Sequence, residues 1–169
     1  MSFFCSLRYD PFRFLALHNK VYGFVISIVE NVQTIPTLFQ AARAYAHQAG
    51  ITPGPGLWDF FTREDGHHKG RGTGEKYNLC HFWTNFEIGD LRFFRSPAYQ
   101  GVFDALDKEG GFYRERVSAR WVAQGGRGGS GAELGCVLTR VRLLRCLQWG
   151  DAPVRSLALG LLTDLDQIH

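Results

Sequence analysis

Apolar positions along the chain recur in two different periods. From Lys20 to Glu30 the run KVYGFVISIVE is nearly continuous, β-branched and aromatic, and it is bounded by His18-Asn19 and by Asn31. That pattern predicts a strand buried on both faces. The period then lengthens: in TIPTLFQAARAYAHQAG, Leu38, Ala41, Ala42 and Tyr45 share one helical face, with Thr34 or Thr37 as N-cap and Gly50 as the stop. ITPGPG breaks the chain, LWDFFT resumes an apolar patch, and REDGHHKGRGTGEKYN reads as a polar loop. A second helix is predicted in SPAYQGVFDALDKEGG, where Ser96 caps, Pro97 takes the first position and Gly110-Gly111 close. Strand, helix, loop and strand in succession favour the α/β class.

With 169 residues, of which 45% are apolar, the chain suffices for one domain with its own core. Aromatic runs such as CHFWTNFEI and LRFFRSPAY make that core aromatic-rich. The net charge of +3 invites a nucleic-acid reading, but its distribution argues otherwise. Val117 to Gln148 carries five arginines and one glutamate, so the remainder of the chain is slightly acidic. Two of the four cysteines, Cys136 and Cys146, lie in that segment; Cys5 and Cys80 lie outside it, as a disulfide or as two buried thiols. No CxxC pair is present, which argues against a zinc knuckle. No apolar run reaches the roughly 18 residues of a membrane span, and Arg8, Asp10 and Pro11 interrupt the place of a signal peptide, so the chain as written reads as soluble.

Chemistry concentrates in YNLCHFWTNFEIGDLRFFRSPAYQGVFDALDKEGGFYRER. Here Asn78, His81, Asn85, Glu87 and Asp90 stand among large apolar side chains. A bare Glu87 carboxylate beside Phe82, Trp83 and Phe86 is costly unless a cation, a sugar hydroxyl or a metal meets it; pairing as a structural glutamate is the alternative. The loop residues Glu64, Asp65, His67 and His68 are nominal metal ligands, and GRGTG passes for a phosphate cradle. Neither has the context such sites need, since adjacent histidines on a glycine-rich loop are mostly solvated and the glycines lack a strand-turn-helix setting.

Five ordered stretches resemble one family. FFCSLRYDPFRF, NKVYGFVISIVE, TIPTLF, the segment from Tyr77 to Arg116, and WGDAPVRSLALGLLTDLDQIH are similar to the fungal Golgi α-1,2-mannosyltransferases, glycosyltransferase family 15. The resemblance implies a GT-A-like nucleotide-sugar-binding α/β domain with a mixed central sheet flanked by helices. It implies transfer of mannose from GDP-mannose to the 2-hydroxyl of a mannose on a glycoprotein glycan, with retention of the α-configuration and with Mn2+. The physics fits, because a departing diphosphate needs charge stabilisation and retention needs a carboxylate nucleophile or a tight ion pair. Glu87 matches the family's candidate nucleophile or cation-stabilising carboxylate, and Asp151 its second acidic residue, which orients or deprotonates the acceptor. Tyr77, Asn78, His81, Trp83 and Asn85 would line the sugar site. Asp10, in YDPF, reads more simply as a turn or cap.

Several departures from the family pattern shape the remaining expectations. What corresponds to Arg116 is followed in the family directly by what corresponds to Trp149, so the catalytic domain is expected in 1–116 and 149–169 with 117–148 inserted. Val117-Ser118 can be encoded GTG-AGN and Gln148 CAG, the edges of an unspliced intron, with a branch-like CTGAC at Leu138-Thr139. The family's acidic Glu-Pro-Asp metal motif lies before Met1, its later histidine ligand beyond His169, and its N-terminal membrane anchor is missing; Ser6, Arg8, Arg114 and Arg155 replace the usual types, Arg155 a histidine. An inactive catalytic fragment is therefore expected, from a protein of the Golgi lumen with no nucleic-acid partner. The alternative is a noncatalytic anion- or RNA-binding module using the GGRGG segment, which lacks aromatic interleaving.

Overall fold

The computed structural model describes residues 8–53, 56–62, 76–115 and 149–169. The Cys5 side of the disulfide alternative, the His67-His68 loop and the Val117–Gln148 segment lie outside them. Among the described residues Cys80 is a free thiol.

Helix α1 (Pro11–Leu17) starts as its sequence dictates: Asp10 accepts from the N–H groups of Phe12 and Arg13 at 2.9 and 3.3 Å, and Pro11 supplies the preset first turn. The extended run that follows forms two short strands, β1 (Tyr22–Phe24) and β2 (Ser27–Val29). Strand β1 pairs antiparallel with β4 (Glu87–Gly89), and β2 pairs antiparallel with β3 (Cys80–Phe82). The two ladders are one antiparallel alignment with a step in register, since Tyr22 faces Gly89 but Ser27 faces Phe82. The extra residues sit on the Trp83–Phe86 side, where the chain turns out of the ladder before Glu87.

The expectation of one strand buried on both faces is corrected here. Tyr22 and Gly23 are buried, whereas Ser27, Ile28 and Val29 are all exposed. The reason is layering: the helical core packs behind β1 and β3, and among the described residues nothing covers β2. On its other edge β1 receives the C-terminal stretch in parallel, through a Tyr22–Ile168 bridge, with Val21 N–H donating to Gln167 O at 2.8 Å and His169 N–H to Tyr22 O at 2.9 Å. Strand β1 thus lies between an antiparallel and a parallel neighbour, the mixed sheet in miniature.

Helix α2 (Leu38–Gln48) ends at Gly50 in the left-handed region, φ 65°, as its sequence predicts. LWDFFT forms α3 (Leu57–Thr62). Short α4 (Leu91–Phe94) is capped by Asp90, and α5 (Pro97–Glu109) matches its reading: Ser96 Oγ accepts from Tyr99 N–H and Gly110 takes φ 73°. After α6 (Gly111–Arg114) the last helix, α7 (Asp151–Leu162), is apolar nearly all round and lies at the centre. Leu157 packs among Leu38, Ala42, Trp58, Val102, Leu106 and Trp149, while Leu159 packs with Tyr22, Leu57, Phe61 and Phe82. Burial of each leucine contributes about 1.5–3 kcal/mol. Ser156, also on α7, accepts the Phe82 N–H at 2.8 Å, so a helix side chain serves an edge of β3 that a strand would otherwise cover.

Candidate functional site

Three local features converge on one spot beside β4. Gly89 leaves room for the Phe94 ring, which a side chain at that position would strike. Tyr22 and Glu87 lie diagonally across the β1–β4 ladder on one face, and the Tyr22 hydroxyl donates to Glu87 Oε2 at 2.5 Å. From α7, Arg155 reaches down to an ion pair with Glu87 Oε1. The same guanidinium stands 3.9 Å from Asp151 Oδ2, one helical turn back, and 5.7 Å from the centre of the Phe94 ring. Tyr99 closes the aromatic wall, edge-on to Phe94 at 4.9 Å between centroids.

Burial and charge set the electrostatics. Glu87 and Arg155 are each about a quarter exposed, whereas Asp151 is 67% exposed. Burial pushes the Tyr22 phenol up to about 12; the Arg155 charge opposes that shift, and the charges of Asp151 and Tyr99 add to it. Burial, then the Asp151 charge, also pushes Tyr99 up. Both phenols therefore stay neutral donors at ordinary pH. Glu87 has one oxygen bonded to a phenol and the other to a guanidinium, so its orientation is fixed from two sides.

The site residues expected from sequence fall into distinct groups. Glu87 and Asp151 are brought together through Arg155. Tyr77 and Asn78 instead secure the backbone leading into β3: Tyr77 Oη donates to Cys80 O at 2.6 Å, Asn78 Nδ2 donates to Phe60 O at 2.6 Å, and Asn78 Oδ1 accepts from Cys80 N–H at 2.9 Å. They bracket Leu79, which is held at φ 66°, a conformation non-glycine residues rarely take. Burial, with the Cys80 and Glu30 charges adding, pushes the Tyr77 phenol well above its usual range. His81 is 3% exposed, and its Nδ1 has no partner among the described residues. Trp83 is half-buried and Asn85 exposed, both in the turn between β3 and β4.

Sequence reasoning passed over Arg155 and Tyr22 as site residues. The signal for Arg155 was its place four residues after Asp151, which puts both on one helix face. Tyr22 carried only its hydroxyl within an otherwise apolar run. A cation does not fit the described residues: no three His, Cys, Asp or Glu side chains among them converge, and Arg155 already neutralises the nearest carboxylates.

The mixed α/β architecture is shared by many enzyme classes, and the comparisons give this chain its class. Residues 1–124 match the family described as Glycolipid 2-alpha-mannosyltransferase, and the chain belongs to it. It is 38% identical over 171 residues to the O-glycoside alpha-1,2-mannosyltransferase homolog 3 of Schizosaccharomyces pombe, an alignment covering 100% of this chain and 35% of that one. Among solved structures it is similar to core-mannan synthase A from Aspergillus fumigatus in its Mn/GDP form, with 31% identity, TM-score 0.68, and coverage of 96% of this chain and 36% of the other. It is also similar to the mannosyltransferase Ktr4p from Saccharomyces cerevisiae in complex with GDP, with 33% identity, TM-score 0.69, and coverage of 96% and 34%. The chain spans about a third of the length of the curated relatives it matches.

Proposed function

We propose that these residues form part of the catalytic site of a retaining α-1,2-mannosyltransferase, which moves mannose from GDP-mannose to the 2-hydroxyl of a mannose on a protein-linked glycan in the Golgi lumen. The observation that carries this reading is the joining of Glu87 and Asp151, from distant parts of the sequence, around one guanidinium. Glu87, anchored by Tyr22 and Arg155, presents negative charge to the sugar carbon as positive charge develops there. Asp151, exposed on the first turn of α7, orients the acceptor hydroxyl and draws off its proton. Trp83 and Asn85, in the turn beside Glu87, offer a ring face and an amide to sugar groups, with Tyr77, Asn78 and His81 shaping the segment behind them. When bound, Mn2+ would stabilise charge on the departing diphosphate; no group of three His, Cys, Asp or Glu among the described residues fits it. The Arg- and Gly-rich segment lies outside the described residues, and no feature among the described residues favours an anion- or RNA-binding module.

The test is Mn2+-dependent release of GDP from GDP-mannose with a methyl mannoside acceptor, and digestion of the product with an α-1,2-specific mannosidase. It is run on the full chain and on the full chain joined to the flanking segments of a relative. Transfer by the joined protein that Glu87→Gln lowers by orders of magnitude supports the reading. An active joined protein indifferent to Glu87→Gln overturns Glu87's role, and a folded, inactive joined protein overturns the reading as a whole.

A further inference from the structure

Arg155 stands between the two carboxylates and an aromatic wall. Its guanidinium is the cation among two carboxylates and two neutral phenols, and it rests against the Phe94 ring. Aromatic walls make an uncompensated Glu87 anion costly, and two carboxylates without a shared cation repel. Nη1 makes the ion pair with Glu87, and Nη2 stands 3.9 Å from Asp151, beyond a hydrogen bond.

We propose that Arg155 is a positioning residue for mannosyl transfer: with Tyr22 it fixes the orientation and charge of Glu87, and it lets Asp151 stand as a second anion in the same site. The inference rests on the proposed transfer reaction and adds to it a residue that touches neither sugar nor nucleotide. Three consequences separate this role from others. Arg155 acts through Glu87, so its loss lowers kcat and leaves the KM for GDP-mannose nearly unchanged. A misplaced reacting group costs about 100-fold in rate, which sets the expected fall for Arg155→Gln. Lysine keeps a cation beside Glu87, so Arg155→Lys restores part of the rate that Arg155→Gln loses.

The experiment measures kcat and KM for Glu87→Gln, Arg155→Gln, Arg155→Lys and the double variant Glu87→Gln/Arg155→Gln in the joined full chain, beside denaturant unfolding of the same variants in the full chain alone. The expected result is a kcat loss in Arg155→Gln at constant KM, partial rescue by lysine, and a double variant no slower than Glu87→Gln by itself. In unfolding, the two single substitutions are expected to be non-additive. An active enzyme whose rate is unchanged by Arg155→Gln overturns the inference while sparing the proposed function. A rise in KM without loss of kcat overturns it in favour of direct donor binding. If no variant has activity, the proposed function fails first, and additive unfolding effects then remove the Glu87–Arg155 coupling as well.

Discussion

Glu115 and Trp149, 34 positions apart in the chain, are joined by a 2.6 Å hydrogen bond from the indole Nε1–H to the Glu115 carboxylate. The carboxylate also accepts from Thr37 N–H, at 3.2 Å, and from the Thr37 hydroxyl, so it ties together the start of α2, the end of α6 and the approach to α7. The two sides of the Val117–Gln148 segment thus meet at one clasp, and from there α7 carries Asp151 and Arg155 to Glu87.

Excision of Val117–Gln148 is therefore expected to leave the fold standing. Closing a loop of about 32 residues costs a few kcal/mol of chain entropy, and that cost disappears when Arg116 is joined to Trp149. Thermal unfolding of the shortened chain should show a midpoint equal to or above that of the parent. A midpoint lower by 10 °C or more, about 3 kcal/mol for a domain of this size, would mean that the segment contributes contacts of its own.

The clasp itself is open to a direct test by substitution. Glu115→Ala leaves the indole N–H and the Thr37 groups without their acceptor, a loss of about 1–3 kcal/mol that denaturant unfolding would register. Glu115→Gln keeps an acceptor and should cost less. Equal losses in the two variants would show that the charge, rather than the acceptor geometry, carries the clasp.

The helices α2 and α5 were plain in the sequence because their determinants are local, Ser96 with Pro97 and Gly50 and Gly110 in left-handed turns, whereas at Asp10 the sequence offered a turn or a cap and not the helix that follows. The extended nature of KVYGFVISIVE was legible for the same reason. Its burial was not, because which half is covered depends on α7 and on the C-terminal stretch, both far off in sequence. At the site, Glu87 and Asp151 were marked by resemblance, yet the phenol 65 residues before Glu87 and the guanidinium that links the carboxylates are tertiary facts. Thr37 stands at the N-cap position as expected, but its side chain makes no cap; it bonds to Glu115 instead.

Gly110 and Gly111 are expected to fail differently on substitution. At Gly110, φ 73° makes alanine strained by about 1–2 kcal/mol. At Gly111 the obstacle is packing, since a Cβ would strike the Trp149 ring, which is 3% exposed. Forced overpacking of this kind costs about 1–3 kcal/mol. The second cost should vanish when Gly111→Ala is combined with Trp149→Leu, while the first persists. Unfolding of the four variants distinguishes the two causes, and a Gly111→Ala penalty that survives the Trp149 change would assign it to the backbone.

The Tyr22 phenol gives the site a signature in alkaline solution. Burial raises it to about 12 in the folded chain, whereas an unfolded tyrosine ionises near its ordinary value of about 10. Between those values the unfolded state has released its proton and the folded state still holds it, so the unfolded chain binds fewer protons and stability falls as pH rises. The contribution is intact below about pH 10 and is lost through about pH 12, with an upper limit of about 3 kcal/mol at 1.36 kcal/mol per unit. Tyr22→Phe removes that titration together with the hydrogen bond to Glu87, so it should be less stable than the parent at neutral pH and lose stability less steeply above pH 10. Arg155→Gln should steepen the decline, because the guanidinium is the charge that holds the phenol down. Denaturant midpoints measured at half-unit steps from pH 7 to 11.5 decide the matter: parallel slopes in parent and Tyr22→Phe would show that the phenol titrates as it does in the unfolded chain.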